Sequence, residues 1–543
     1  MNPALTQFGT QMSHLTGVRA IMKDIIETLR AGSGQEFINL SAGNPVILPE
    51  VEQLWRDCTA ELLASAEYGE VVCRYGSSQG YQPLIDAVRD DFNRRYGLSL
   101  TDRNILIAPG SQSIYFYAAN AFGGYTAPPP SPPYQGVATT PPSPPYQEVA
   151  TTPPSPPYQG VATTPPSPPY QEVATTPPSP PYQEVATTPP SPPYQGVATT
   201  PPSPPYQGVA TTPPSPPYQG VATTPPSPPY QGVATTPPSP PYQGGVRGGS
   251  LKHIVLPLSP DYTGYGGVSL IPEAVIACKP TLDIDAAAHR FKYRPDFSQL
   301  SIDETSGCVI FSRPCNPTGN VLTDDEVKKI AAMASVFDVP VFIDSAYGPP
   351  FPALNYTEMT PIFGDNIIHC MSLSKAGLPG ERIGIAIGDE NIIQVLQSFQ
   401  TNMCIHSPRY GQAIAARAIN SGALADIGVN VIRPYYQSKF DVVETTLEQA
   451  MPKDLPWFLH RGEGAIFAWL WLKDLPMTDW EFYQQLKQVG VILVPGSSFF
   501  PGLREDWRHK QECLRISLTA TNQEIETAMK RLAKMVEKVY QGQ

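Results

Sequence analysis

One stretch of this chain cannot join a folded core. From about Thr126 to Gln243 the sequence repeats "TTPPSPPYQGVA" with a period of twelve, and "PPSPPYQ" occurs ten times, with Glu in place of Gly in some copies. Each repeat carries one tyrosine and almost no aliphatic side chains, so the apolar surface it could bury does not offset the entropy of ordering it. The expectation is an extended, mobile segment of polyproline II preference, inserted over residues 126–248. Such an array could dock on an aromatic groove of the SH3 or WW type. The flanks favour an inert spacer: "GSQSIYFYAANAF" upstream reads as a helix and "KHIVLPLSP" downstream as a short buried strand. A long insertion in a helix-to-strand connection adds little closure entropy.

Setting the array aside removes most of the 66 prolines and leaves about 420 residues of ordinary globular composition. That remainder alternates β-rich runs, "NILIAPG", "HIVLPLSP", "AVIACKP", "GCVIFSRP", "PVFIDSAY", "IIHCMSLSK" and "RIGIAIG", with amphipathic stretches such as "TDDEVKKIAAMASVFD". The alternation predicts an α/β fold around a mainly parallel sheet, with ligands gathering at the carboxyl ends of its strands. A helical run from Val429, followed by "AIFAWLWL" and "CLRISLTA", predicts a second, smaller α/β domain over 429–543. The larger domain would then comprise residues 46–125 and 249–428, with 1–45 as an N-terminal arm that contributes to the smaller one.

A net charge of −12 without a basic run argues against nucleic acid. Eight cysteines are scattered, with no C-x-x-C pair or zinc-ligand spacing, and read as reduced thiols. No run of eighteen apolar residues occurs, and the amino terminus has no basic flank before an apolar core. A cytoplasmic protein that neither crosses nor binds a membrane, and holds no metal, is expected.

The polar residues at the strand ends carry the chemistry. In chain order they are "GNP" (Gly43, Asn44), "YGSSQG" (Tyr75), "GSQS" (Ser111, Gln112), "SPDY" (Tyr262), "CNPTG" (Asn316), "DSAY" (Asp344, Tyr347), "SLSK" (Ser372, Lys375), "GER" (Arg382) and "LRIS" (Arg515). Asn-Pro-Thr-Gly alone is merely a good turn. Its lead of 28 residues over Asp344, room for one helix and one strand, gives it weight. Taken together, these patterns resemble the fold type I aminotransferases of class I/II, which use pyridoxal 5′-phosphate. "SRPCNPTGNV", "CMSLSKAGLPGERIGI" and "VPGSSFFPGL" are similar, within that family, to the enzymes that exchange amino groups between the valine/2-oxoisovalerate and alanine/pyruvate pairs.

The chemistry such a coenzyme needs matches the residue types. An aldehyde that must form and exchange a Schiff base calls for a primary amine, and Lys375 is the candidate, serving afterwards as general base and acid. Neighbouring cations and burial would lower its pKa. Asp344, ending the apolar strand "PVFID", is placed to keep a ring nitrogen protonated; Tyr347 and Asn316 would share the ring's phenolate oxygen. "APGSQS" opens a helix, where free N–H groups favour an anion, so Ser111 and Gln112 would meet the phosphate, completed by Ser372 and Arg382. The resemblance further implies that Tyr262 stacks on the ring and that Tyr75 reaches the phosphate of a neighbouring subunit in a homodimer. Arg515 sits inside an apolar run and demands a partner, which a substrate α-carboxylate supplies beside Gly43, Asn44 and Asn316. No second arginine can be placed opposite a distal carboxylate, which fits an aliphatic amino acid and a 2-oxo acid such as pyruvate. Two alternatives stay open here: a lyase on the same scaffold, and a proline-rich interaction protein carrying a degenerate enzyme domain.

Overall fold

The computed structural model describes residues 18–30, 36–126 and 249–542, together with Gly9 and Ser13. The expected conformation of the repeat array lies outside the described residues. Sixteen strands follow in order: β1 Ile38–Asn39, β2 Ile105–Pro109, β3 Gly124–Tyr125, β4 Leu251–Leu256, β5 Val275–Ala277, β6 Thr281–Asp285, β7 Arg290–Arg294 and β8 Ser306–Ser312. The series continues with β9 Val341–Asp344, β10 Ile367–Ser372, β11 Ile383–Ile387, β12 Trp457–His460, β13 Phe467–Leu472, β14 Val491–Ile492, β15 Val494–Pro495 and β16 Cys513–Ser517. The helices that matter below are α1 Pro49–Ala64, α2 Gln82–Tyr96, α3 Ser111–Phe122, α4 Asp324–Ser335, α5 Arg409–Asn420, α6 Arg433–Ala450 and α7 Asn522–Tyr540.

All seven β-rich runs picked out in the sequence enter one sheet. Its path is β2-β11-β10-β9-β8-β4-β3, with β5 on the outer edge of β4 beyond the stretch that β3 occupies. Strands β4, β8, β9 and β10 run parallel, while β11 is antiparallel to both its neighbours. Because helices cover both faces, β9, β10 and β11 are buried along their whole length, which is why they read as unbroken apolar runs rather than alternating ones. Ile105, Ile107 and Ile385 face a core shared with α1, α2 and α5, and Leu106, Ala108 and Ala386 face one shared with α3. Helix α4 starts at a reciprocal cap between Thr323 and Glu326 and buries Val327 and Ile330 against Val309 and Val341.

A second sheet has the order β15-β16-β13-β12-β7-β6. The sheets therefore do not divide the chain at residue 429: the hairpin β6–β7, from the stretch expected in the larger domain, pairs with β12 here. Its inward residues Phe291 and Tyr293 explain the placement, since they pack with Trp469 and Trp471 of β13. Helices α6 and α7 share an apolar cluster through Phe440, Val443, Met529 and Leu532. The helix expected from Val429 begins as a five-residue π-turn over Gly428–Ile432 before α6. Gly428 lies so close to Pro352 that a Cβ would come within 2.7 Å of its carbonyl oxygen, and Pro434 withholds an N–H from the first turn of α6. Among the described residues no helix is long and apolar enough to cross a membrane.

The ends of the insertion are hydrogen-bonded to each other. Thr126 N donates to Ser250 O at 3.0 Å, Ser250 N donates to Thr126 Oγ1 at 3.0 Å, and β3 pairs with β4 just beside them. The array thus leaves and re-enters through the mouth of one antiparallel hairpin, with a two-residue strand inserted between helix and strand. Replacing residues 127–248 by an Asn-Gly turn should therefore leave coenzyme binding unchanged and the melting temperature no lower, because loop closure becomes cheaper. A melt that falls by 5 °C or more would show that the repeat supports the fold.

Candidate active site

Parallel pairing brings the carboxyl ends of three strands side by side, with Ser312 opposite Asp344 and Asp344 opposite Cys370. Beyond β10 the chain turns through a 3₁₀ turn, Leu373–Ala376, capped by Ser372, whose Oγ accepts from Ser374 N. That turn aims Lys375 back over the strand ends, where its Nζ donates to Gly43 O at 2.6 Å and lies 5.7 Å from the centre of the Tyr347 ring. Burial, and then the positive charges of Arg515 and Arg382, push the Lys375 amine down to about 8, with Asp344 opposing.

The anion-binding end forms where α3 begins. Gly110 precedes Ser111 with φ of +88°, a backbone that suits glycine, and a Cβ there would fall 2.3 Å from Arg382 Nη2. The guanidinium can therefore lie against the helix start, where free N–H groups point outward. Arg382 itself adopts a left-handed conformation, φ +53°, which costs a non-glycine residue on the order of 1 kcal/mol. Its Nη1 donates to Ser374 Oγ at 3.1 Å and to Pro379 O at 3.2 Å. Ser374 was not legible as a site residue; it is one turn residue from the lysine that was.

Asp344 is buried, and burial raises its pKa. Its Oδ1 accepts from Ala346 N and its Oδ2 from Tyr265 OH, each at 2.9 Å. Tyr265 also meets the ring of Tyr262 edge-on, with centroids 5.4 Å apart at 87°. It touches Ser312 Oγ at 3.1 Å, and Ser312 Oγ is hydrogen-bonded to Asp261 Oδ1. Tyr265, Ser312 and Asp261 were missed in the sequence, although Tyr265 follows Tyr262 by one turn and Ser312 ends the strand before Asn316.

Arg515 lies on β16, its guanidinium 4.1 Å from the Phe467 ring centre and 5.0 Å from that of Phe499. Nη1 donates to Asn316 Oδ1 at 3.1 Å and Nη2 to Ser41 O at 2.9 Å, while the buried Nε has no partner. Burial pushes this group down to about 10. Among the described residues Lys375, Arg382 and Arg515 hydrogen-bond only neutral oxygens, so one cleft holds three cations without a carboxylate pairing any of them.

The cleft, about 260 Å³, is lined by Asn44, Ser111, Gln112 and Tyr262, by Asn316, Asp344 and Tyr347, and by Ser372, Lys375 and Arg382. Gly43 and Arg515 border it through Lys375 and Asn316. Tyr75 is the exception: it is 82% exposed, its ring edge-on to His406 at 5.8 Å, and this chain does not bring it to the cleft. The donor set fits pyridoxal 5′-phosphate. A cradle kept open by Gly110 suits its phosphate, an amine poised near neutrality suits its aldehyde, and a buried carboxylate suits its ring nitrogen. Gln112 Oε1 and Arg515 Nε are buried without a hydrogen-bond partner among the described residues.

Comparison with known proteins gives the same picture. The family described as aminotransferase class I and II matches residues 281–532. The valine–pyruvate aminotransferase of Escherichia coli (strain K12) is 27% identical over 533 residues, spanning 98% of each chain. The crystal structure of valine–pyruvate aminotransferase from Salmonella typhimurium LT2 superposes with a TM-score of 0.67 at 25% identity, covering 96% of this chain and all of that one. Thermus thermophilus aspartate aminotransferase, with maleate, shares the fold at a TM-score of 0.61 and 14% identity.

Proposed function

From the premise that this chain belongs to the class I and II aminotransferases of fold type I, which work with pyridoxal 5′-phosphate, we propose that it exchanges an amino group between an aliphatic L-amino acid and a 2-oxo acid, foremost L-valine and pyruvate, yielding 3-methyl-2-oxobutanoate and L-alanine. The observation that carries this reading is the cation inventory of the cleft. Arg515 would take one α-carboxylate, Arg382 the phosphate end and Lys375 the reacting aldehyde, and among the described residues no further cation lines the cleft to meet a distal carboxylate. The similarity to valine–pyruvate aminotransferases supports the same substrates.

When bound, the coenzyme supplies an aldehyde that takes up the amino group and a ring that withdraws electrons from the substrate α-carbon. Ser111, Gln112, Ser372, Ser374 and Arg382 would hold its phosphate, Tyr262 would flank the ring, and Asp344 would pair with the ring nitrogen. Tyr347 and Asn316 would hydrogen-bond the ring hydroxyl oxygen. Lys375 Nζ, neutral in a large fraction near pH 8, takes the proton from the substrate α-carbon and returns one at the end of the half-reaction. Arg515, with Gly43 and Asn44 beside it, grips the α-carboxylate and so orients the Cα–H bond toward Lys375. The proposed assembly is a cytoplasmic homodimer in which Tyr75 reaches a second copy. Its exposure next to Val72, Met403 and Ile405, also exposed, supports that placement.

The test is incubation of purified enzyme with L-valine and pyruvate, and separately with L-aspartate and 2-oxoglutarate, with alanine and glutamate quantified. Alanine should form with kcat/KM at least about 100-fold above that of the dicarboxylic pair, because a pocket without a second cation leaves a buried distal carboxylate unpaired. Preferential turnover of the dicarboxylic pair would overturn the assignment.

A further inference from the structure

A second carboxylate lies buried behind the first. Asp261 is 2% exposed and Asp344 7%, and neither meets a lysine, arginine or histidine within ion-pair distance among the described residues. Two desolvated carboxylates joined through the same hydrogen-bonded groups do not both ionise readily. Only Asp344 faces the cleft, where a ligand cation can neutralise it.

Counting hydrogens along the connection separates the two. Three contacts link the carboxylates: Asp261 Oδ1 to Ser312 Oγ, Ser312 Oγ to Tyr265 OH, and Tyr265 OH to Asp344 Oδ2. The two hydroxyls contribute two hydrogens. With both carboxylates ionised, Ser312 gives its hydrogen to Asp261 and Tyr265 gives its hydrogen to Asp344, and the middle contact has none. One further hydrogen on Asp261 completes all three links in one direction, each hydroxyl accepting once and donating once. The groups facing Asp261 include donors that favour its ionised form. They are the Cys315 thiol at 3.5 Å, the Tyr262 and Ser312 backbone N–H groups, the Ser312 hydroxyl and, through it, Tyr265 and Asp344. Burial outweighs those donors and pushes the Asp261 carboxyl up to about 6, the Asp344 charge adding a smaller rise, so the acid is mostly neutral below that pH.

We propose that Asp261 is a positioning residue held as a neutral carboxylic acid, which donates through Ser312 and Tyr265 to Asp344 and thereby keeps that carboxylate ionised and oriented toward the coenzyme. Tyr265 has a double part in this arrangement, since its hydroxyl holds Asp344 while its ring holds Tyr262 edge-on. The proposal rests on reading Asp344 as the partner of the coenzyme's ring nitrogen.

Infrared spectroscopy of protein labelled with ¹³C-carboxyl aspartate tests the protonation directly, with or without coenzyme. A carboxylic-acid carbonyl band that disappears in Asp261→Asn is expected at pH 5.5 in the absence of coenzyme, and absence of the band there overturns the proposal. Coenzyme affinity, read from tryptophan fluorescence on titration with pyridoxal 5′-phosphate, tests the consequence. Asp261→Ala and Tyr265→Phe should each weaken it about tenfold, the worth of one hydrogen bond to a charged group. Asp261→Asn, whose amide can still donate to Ser312, should restore most of the loss, and an Asn variant as weak as the Ala variant counts against the donor chain. Asp344→Asn separates the two readings. If it binds coenzyme normally, the ring-nitrogen assignment is wrong, whereas the infrared band reports on Asp261 either way.

Discussion

Substituting Lys375 by alanine is expected to abolish the visible absorbance of the bound coenzyme and to lower transamination by about 10⁴-fold. The expectation follows from what the cleft does to this amine. An ordinary lysine, at 10.5, is only about 0.3% neutral at pH 8; Lys375, pushed down to about 8, is close to half neutral there. Among the described residues its hydrogen-bond partner is the carbonyl of Gly43, and no carboxylate forms an ion pair with it directly, although the Asp344 charge opposes the shift. Borohydride reduction of the loaded wild-type protein should fix a pyridoxyl group at position 375 and nowhere else. The stability consequence has a definite sign. The unfolded chain keeps lysine protonated up to about 10.5 and the folded apoprotein only up to about 8, so between these values the unfolded state binds more protons and stability rises with pH. Melting of the apoprotein should therefore increase from pH 8 toward 10 in the wild type and lose that component in Lys375→Ala, which should melt no lower than wild type at pH 7. A variant with normal turnover, or a reduced adduct on another lysine, removes Lys375 from the chemistry.

Legibility differed sharply between strand ends and the groups behind them. Seven of the eight strands described in the larger sheet were readable, the two-residue β3 being the exception, because a strand covered on both faces must be apolar throughout, and Asp344, Asn316, Lys375 and Arg382 stand out where such runs stop. Arg515 was readable for the opposite reason, as a charge inside the buried strand β16. What escaped was contact across long sequence separations. Tyr265 and Ser312 are 47 residues apart and look like an ordinary loop tyrosine and strand serine, yet their hydroxyls touch. Asp261 looks like a turn residue and is among the most buried carboxylates of the described residues. The hairpin β6–β7 was not singled out in the sequence, where its residues were counted only within the stretch 249–428, and alternation says that a strand has one buried face but not which partner covers it. Tyr75 marks a different boundary: it was picked out by family resemblance, and the single chain leaves it facing solvent.

Arg515→Leu should lower kcat/KM for valine by about 10³-fold, since the α-carboxylate would enter a buried position with no cation to meet it. The guanidinium is already fixed before substrate arrives, between the rings of Phe467 and Phe499 and tied to Asn316 and Ser41, and its Nε remains without a protein partner. Such preorganisation means that little of the binding free energy is spent on ordering the side chain. Removing the charge also removes the second-largest cause that holds the Lys375 amine low, so the pH midpoint of that amine should rise above 8 in the variant. Folding should be spared, because a leucine among Phe467, Phe499 and the apolar strand replaces a desolvated charge. A comparison of valine with isobutylamine, the same side chain without the carboxylate, isolates the interaction. Wild-type enzyme should prefer valine by about 10³-fold, and the Leu variant should process both at similar, low efficiency. If the variant still discriminates as the wild type does, the carboxylate is bound elsewhere in the cleft and the orientation argued for the Cα–H bond fails with it.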